Sequence, residues 1–293
     1  MINRVTSQTR VLNAQRNLQA SAAALAKMQD TATSLKKIGV PSDDPTGTAD
    51  SLRIRAAQSA TTQYGRNIDD GTGWLATIDG ALTNATDILR KVRDLTVQGA
   101  NDGSLNPAAK EAIAMELDDL RDDLLSTANT TYLGRTVFAG DSDAGAAFTA
   151  DLDYTGSTSP VLRRIDSNQT VRVDSDGSAV FGTGTSSVFA LIDSISADLR
   201  AGVNVGSRLT AIDTAMTAIQ GEQSAVGARQ AQVEKTKDTN LQTTNTLESQ
   251  RSSVEDVDLS QIVIQLKQQE VSYQAALAVT SRTLQPTLMD YLR

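Results

Sequence analysis

The C-terminal stretch Ser253–Arg293 constrains this chain more than any other. Apolar residues recur there at three- and four-residue intervals: Leu259, Ile262 with Val263, Leu266, Tyr273, Leu277, Leu284 and Leu288. That spacing predicts a helix with one long apolar stripe. A lone helix cannot bury such a stripe, so the other end of the chain or another molecule must lie against it.

The N-terminal stretch offers that partner. From about Val5 to Lys37, the positions Val11, Ala14, Leu18, Ser21, Leu25, Met28, Ala32 and Leu35 alternate by three and four, which predicts a coiled-coil seam. The seam is weak, because Ala and Ser occupy several of its core sites. Charge favours pairing of the two ends. Residues 1–37 carry Arg4, Arg10, Arg16, Lys27, Lys36 and Lys37 against Asp30 alone, a net +5. Residues 253–293 carry Lys267, Arg282 and Arg293 against Glu255, Asp256, Asp258, Glu270 and Asp290, a net −2. Screened surface charges add little stability to such a pair.

Between the ends the pattern is palindromic. Pro41-Ser42-Asp43-Asp44-Pro45 predicts a helix-to-helix corner in which Pro41 stops the first helix, Asp44 caps the next and Pro45 takes its first position. A second helix follows from about Thr46 to Val97, with the seam Tyr64, Ile68, Gly71, Leu75, Ile78, Leu82, Ala85, Leu89 and Val92. Asn106-Pro107 opens a third helix, with Ile113, Leu117, Leu120 and Leu124 turned inward. From Tyr132 to about Ser187 the texture changes, with 7 of the 19 glycines and β-like runs at Thr136–Ala139, Val161–Ile165, Gln169–Val173 and Ala179–Phe181. Asp174-Ser175-Asp176-Gly177 reads as a hairpin turn between the last two runs. Helix returns near Ser187 and breaks at Gly202–Gly206. A long helix then marks one residue in seven: Ile212, Ile219, Val226, Val233, Asn240, Leu247 and Val254.

The fold class expected is therefore mainly α: a long antiparallel coiled-coil helical bundle formed by both chain ends, with a small inserted β-rich domain. The domains expected are 1–44 plus 253–293 as a terminal coiled coil for assembly, 45–131 plus 188–252 as a helical rod, and 132–187 as the β-rich insert. A composition of 39% apolar but only 3% aromatic residues suits long helices packed through Leu, Ile, Val and Ala.

Composition also narrows function. The chain has no Cys and no His, which removes disulfides, thiolate nucleophiles and the usual general base near neutral pH. A net charge of −8 argues against nucleic acid as a partner. No run approaches the ~18 apolar residues of a membrane helix, and residues 1–10 lack the apolar core of a secretory signal peptide. Composition alone would place the protein in the cytosol. Asp141-Ser142-Asp143-Ala144-Gly145 lacks the further ligands of a calcium loop and reads as a turn. Asp118, Asp119, Asp122 and Asp123 read as a solvated helix face. Trp74 is an interface anchor or ordinary core, and the sequence leaves both open. No catalytic, cofactor or metal site is expected.

Several stretches resemble the bacterial flagellin family. The Pro-rich corner is the most specific. Asn67-Ile68-Asp69-Asp70-Gly71 through Ala81-Leu82, and Arg93 to Asn101, resemble the family's second helix. Phe138-Ala139-Gly140 and the run from Ile165 to Val180-Phe181-Gly182 resemble its hook-associated branch. Val254-Glu255-Asp256-Val257-Asp258 resembles the start of the family's C-terminal helix, and Leu288–Arg293 its end. The resemblance implies a structural, non-enzymatic part of the flagellum that joins hook to filament. It also implies a homo-oligomeric ring, with flagellin, a neighbouring hook-associated protein and an export chaperone as partners. Location would be extracellular, after type III export without a cleaved signal peptide, which displaces the cytosolic reading. The assembly interface expected is Val11, Leu18, Leu25, Met28, Leu35, Leu259, Ile262, Leu266, Tyr273, Leu277, Leu284 and Leu288, with Pro41, Asp43, Asp44 and Pro45 as the corner. The alternatives are a short flagellin and a calcium-dependent coiled-coil surface protein.

Overall fold

The computed structural model describes residues 2–101 and 106–284, with side chains described for 8–101 and 106–282. The chain is mainly α. Helices α1 (Ile2–Ser34), α2 (Pro45–Gly99) and α3 (Pro107–Ala128) precede strands β1 (Thr131–Tyr132), β2 (Arg135–Thr136), β3 (Leu162–Asp166) and β4 (Gln169–Arg172). Helices α4 (Gly177–Phe181), α5 (Val188–Arg200), α6 (Leu209–Glu255) and α7 (Leu259–Leu284) follow. The chain separates into two compact units, residues 1–59 with 244–293 and residues 60–243.

The larger unit, residues 60–243, holds the core. Its α2 seam is buried from Ile68 through Leu75, Ile78, Leu82, Leu89 and Val92, because residues three and four apart line one side of a helix. Antiparallel to it runs α6, whose one-in-seven residues Ile212, Ile219, Val226 and Val233 are fully buried. Polar pairs keep the register: Arg93 Nε donates to Asp213 at 2.8 Å, Gln223 Nε2 to Thr83 at 3.0 Å, and Asn240 Nδ2 to the Thr61 carbonyl at 3.0 Å. Asn106 caps α3 by accepting from the Ala109 N–H at 2.7 Å. Trp74 is 2% exposed and belongs to this core.

The insert folds as two short antiparallel hairpins, β1–β2 and β3–β4, the second with an irregularity between Arg164 and Asp166. All four phenylalanines of the chain, Phe138, Phe148, Phe181 and Phe189, meet in one buried cluster with ring centroids 5.1–5.9 Å apart. Two sequence expectations fail here. Ala179–Phe181 is helical, lying in α4, where Asp176 caps the first turn by accepting from the Ser178 N–H. The expected hairpin turn at Asp174-Ser175-Asp176-Gly177 is instead buried backbone. Asp174 is fully buried, holds the Val161 N–H at 2.7 Å and pairs with Arg172, while Ser175 donates to Glu222 at 2.8 Å. The β3–β4 turn falls at Ser167-Asn168.

Truncating a residue of the phenylalanine cluster leaves a cavity that dense packing cannot close. Phe181→Ala is expected to cost about 3–5 kcal/mol in chemical denaturation of the full chain. Leu12→Ala, on the half-exposed side of α1, is expected to stay within about 0.5 kcal/mol.

Candidate assembly site at the terminal helices and their corner

The smaller unit, residues 1–59 with 244–293, pairs α1 with α7. The two run antiparallel, with Gln269 Nε2 donating to the Ser21 carbonyl at 3.3 Å. Along α1, Val11, Ala14, Leu18, Ser21, Leu25, Met28 and Ala32 are all half-buried, in the spacing the sequence predicts. No described side chain of α1 is fully buried. On α7 only Ile262 and Thr280 are, among the described residues, with Leu266 and Tyr273 half-buried beside them. The seam therefore forms but does not close.

The single stripe expected on the last helix needs correction. Leu259 is 59% exposed and Leu277 42%, so both sit on the flank of the side that meets α1. At 100° per residue, Ile264 and Val271 face nearly away from Ile262, and they are 60% and 56% exposed. Helix α7 thus carries apolar surface on both sides and α1 covers one. Leu35 also departs from the seam. Helix α1 ends at Ser34 rather than Lys37, and Leu35 turns left-handed at φ 56° with its side chain exposed. The Leu284 side chain and all of Leu288 lie outside the described residues.

The corner forms as its residues demand. Pro45 opens α2, and Asp44 accepts the Gly47 N–H at 2.9 Å. A Cβ at Gly47 would lie 2.5 Å from Asp44 Oδ2 and 2.8 Å from the Ile38 side chain, so glycine lets both side chains keep these positions. Asp43 accepts the Gly39 and Val40 N–H groups at 3.2 and 3.1 Å and Lys27 Nζ at 2.6 Å, which ties α1 to the corner. The Lys27 ammonium, helped by the Val40 N–H, holds the Asp43 carboxyl below its ordinary value.

Sequence reasoning missed the group at the centre of this unit. Glu255 is buried, with its side chain 4% exposed. It accepts Arg55 Nε and Nη2 at 2.8 Å each, Arg251 Nη1 at 3.2 Å and the Ser51 hydroxyl. Its backbone also takes part, since Lys37 N–H donates to the Glu255 carbonyl at 2.7 Å, and nearby Val257 N–H donates to the Leu35 carbonyl at 3.2 Å. One carboxylate thereby fastens the start of α2 and the end of α6, while its backbone fastens the chain leaving α1. The Arg55 guanidinium, then the Ser51 hydroxyl, hold the Glu255 carboxyl at about 2. A signal existed in the sequence: Ser51 and Arg55, like Arg251 and Glu255, are four apart and share a helix face.

Among the described residues, no group of carboxylates is arranged to hold a metal ion, and no helix is long and apolar enough to cross a membrane. What this unit offers is apolar surface on the far side of α7, where Ile264 and Val271 are exposed. The sequence profile of the bacterial flagellin N-terminal helical region matches residues 5–143, and that of the flagellin C-terminal helical region matches 209–292. The chain belongs to the bacterial flagellin family. Helix α7 falls within the matched flagellin regions, and α1 does from residue 5 on. The chain is 24% identical to flagellar hook-associated protein 3 of Escherichia coli over 66% of its own length and 61% of that protein's. It is 31% identical to flagellin B of Vibrio anguillarum over 51% of itself and 39% of that protein. It thus spans less than two thirds of either relative. Against the flagellin of Bacillus subtilis, 24% identity extends over 96% of both chains. Among solved structures, the FlgL protein of Xanthomonas campestris aligns with TM-score 0.62 at 21% identity, covering 68% of this chain and 99% of that one. The flagellar junction protein FlgL of Legionella pneumophila aligns with TM-score 0.58 at 15% identity, over 71% and 100%. These likenesses are of fold.

The Glu255 clamp carries a pH signature. Its folded value lies below the ordinary 4.5, so its stabilisation is present above about pH 4.5 and is lost as pH falls toward 2. Glu255→Gln is expected to melt below the parent at pH 7 by calorimetry, with the gap closing as pH falls from 4.5 to 2.5, a window between the ordinary and folded values. Glu255→Ala, which leaves Arg55 without its carboxylate while Arg251 keeps Glu248 at 2.7 Å, is expected to cost about 2 kcal/mol.

Proposed function

We propose that this flagellin-family chain is a structural subunit of the bacterial flagellum that joins hook to filament and performs no catalysis. The observation that carries this reading is the open seam of the terminal pair. Helices α1 and α7 meet, bury little, and leave Ile264 and Val271 in water on the far side of α7. Apolar surface on both sides of a helix calls for a second neighbour. The neighbours proposed are copies of the same chain in a ring, with flagellin on one side and another hook-associated protein on the other. An export chaperone would shield the same surface before assembly. The subunit would be extracellular, leaving by type III export without a cleaved signal peptide.

In this reading residues 1–44 and 253–293 are the assembly domain, 45–131 with 188–252 the helical rod and 132–187 an outward insert. Seam residues Val11, Leu18, Leu25, Met28, Ile262, Leu266 and Tyr273 join α1 to α7, while Leu259 and Leu277 flank the seam and extend the surface that neighbours cover. Family names among the relatives, including hook-associated protein 3 and FlgL, support the junction. The likeness to Bacillus subtilis flagellin over 96% of both chains favours a short filament subunit as the second reading.

Immunogold labelling of whole flagella separates the two. A junction subunit is expected to label one narrow band at the hook–filament boundary, and a filament subunit the whole length. Leu25→Asp and Leu266→Asp each place a charge in the seam. Both are expected to remove the chain from flagella while residues 60–243 keep their helical signal and proteolytic resistance. Normal incorporation of either variant would overturn the assignment of these faces.

A further inference from the structure

The β1–β2 turn is Leu133-Gly134, with φ of +49° and +81°. Tight hairpin turns with both central residues left-handed favour Asn or Asp followed by Gly, because a branched apolar side chain is strained there. Leu133 nonetheless occupies the position and is 80% exposed, more than any other large hydrophobic residue among those described. Intramolecular packing does not account for it. The hairpin beneath it is firmly seated, with Tyr132 5.8 Å from Trp74 and the Arg135 guanidinium 5.9 Å from the Trp74 ring. Arg135 has no carboxylate partner among the described residues; its hydrogen bond goes to the Asp141 carbonyl at 3.4 Å. A rigid turn thus presents one apolar knob beside one uncompensated cation.

The same unit carries the complement. On α3, Met115 is 58% exposed, with Asp119 four residues on, Asp122 seven on and Asp123 alongside on the outward face. Asp119 and Asp123 have no ion pair among the described residues. Met115 and Leu133 are both open to water, so the two patches do not cover each other within one chain. We propose that the Leu133 turn of one copy docks on the Met115 face of α3 in a neighbouring copy, with Arg135 against Asp119. Two different patches meeting head to tail repeat around a ring, which a self-complementary patch cannot do. This contact is too small to hold copies together alone. It sets the lateral spacing of subunits gathered by their terminal helices, and so rests on the assembly reading above.

The absence of native Cys gives a clean test. Leu133→Cys and Met115→Cys are made in separate chains and produced together, and the sheared flagella are mildly oxidised and run on a non-reducing gel. A covalent dimer is expected in the mixture and not with either variant alone. Adding Arg135→Glu to the first chain should lower its yield about tenfold, and Asp119→Arg in the second should restore it. Chains present in flagella but giving no mixed dimer, or single variants that crosslink equally well, overturn the contact. Absence of the parent chain from sheared flagella overturns the assembly reading, whereas a chain that is incorporated but gives no mixed dimer overturns the contact alone.

Discussion

Two helices pressed side by side can each hide one stripe, and α7 has apolar surface on two. That mismatch governs the terminal unit. With α1 against it, Ile262 is buried, while Ile264 and Val271 remain largely in water. The α1 seam is built from alanine and serine as well as leucine, so it yields little transfer energy per turn. The large unit is the reverse: its α2 and α6 seams, its α3 and α5 faces and its phenylalanine cluster are closed to solvent. One part of the chain is satisfied by itself and the other is not. The proposed role gives the unsatisfied part a use, since leaving a seam incomplete until neighbours arrive would tie folding energy to assembly.

The corner and Glu255 keep the incomplete pair attached to something ordered. Asp44 and Pro45 start α2, Asp43 holds Lys27 of α1, and Glu255 gathers Ser51, Arg55 and Arg251. A buried carboxylate with two arginines costs desolvation, so its contribution to stability is modest and its contribution to geometry larger. Replacing it by an apolar residue would leave the Arg55 guanidinium to find another partner, while Arg251 keeps Glu248.

Much of this was legible in the sequence, because heptad spacing survives long helices. The one-in-seven residues of α6 are buried through Val233 and only half-buried from Asn240 on, as their polar facing positions imply. The corner was legible because proline and capping aspartate act locally. Leu35 misled because nothing local distinguishes a left-handed leucine from one more seam residue. Asp174-Ser175-Asp176-Gly177 has turn composition, but Asp174 pairs with Arg172 two residues before it, and α6 supplies Glu222 for Ser175 and Arg229, which donates to the Asp174 carbonyl at 2.7 Å. The i, i+4 spacing of Arg251 and Glu255 was legible, but not the pairing of Glu255 with Arg55, 200 residues away. The second side of α7 was missed because Ile264 and Val271 fall outside the stripe that the stronger leucines define.

Amide hydrogen exchange of the full chain, as free monomer and within flagella, tests the central claim most directly. Fast exchange along α1 and α7 in the monomer is predicted, beside slow exchange in α2, α3 and the α6 segment from Ile212 to Val233. In flagella both terminal helices should become as slow as that core. Terminal helices already as protected as the core in the free monomer would contradict the account, because the seam would then be complete without neighbours.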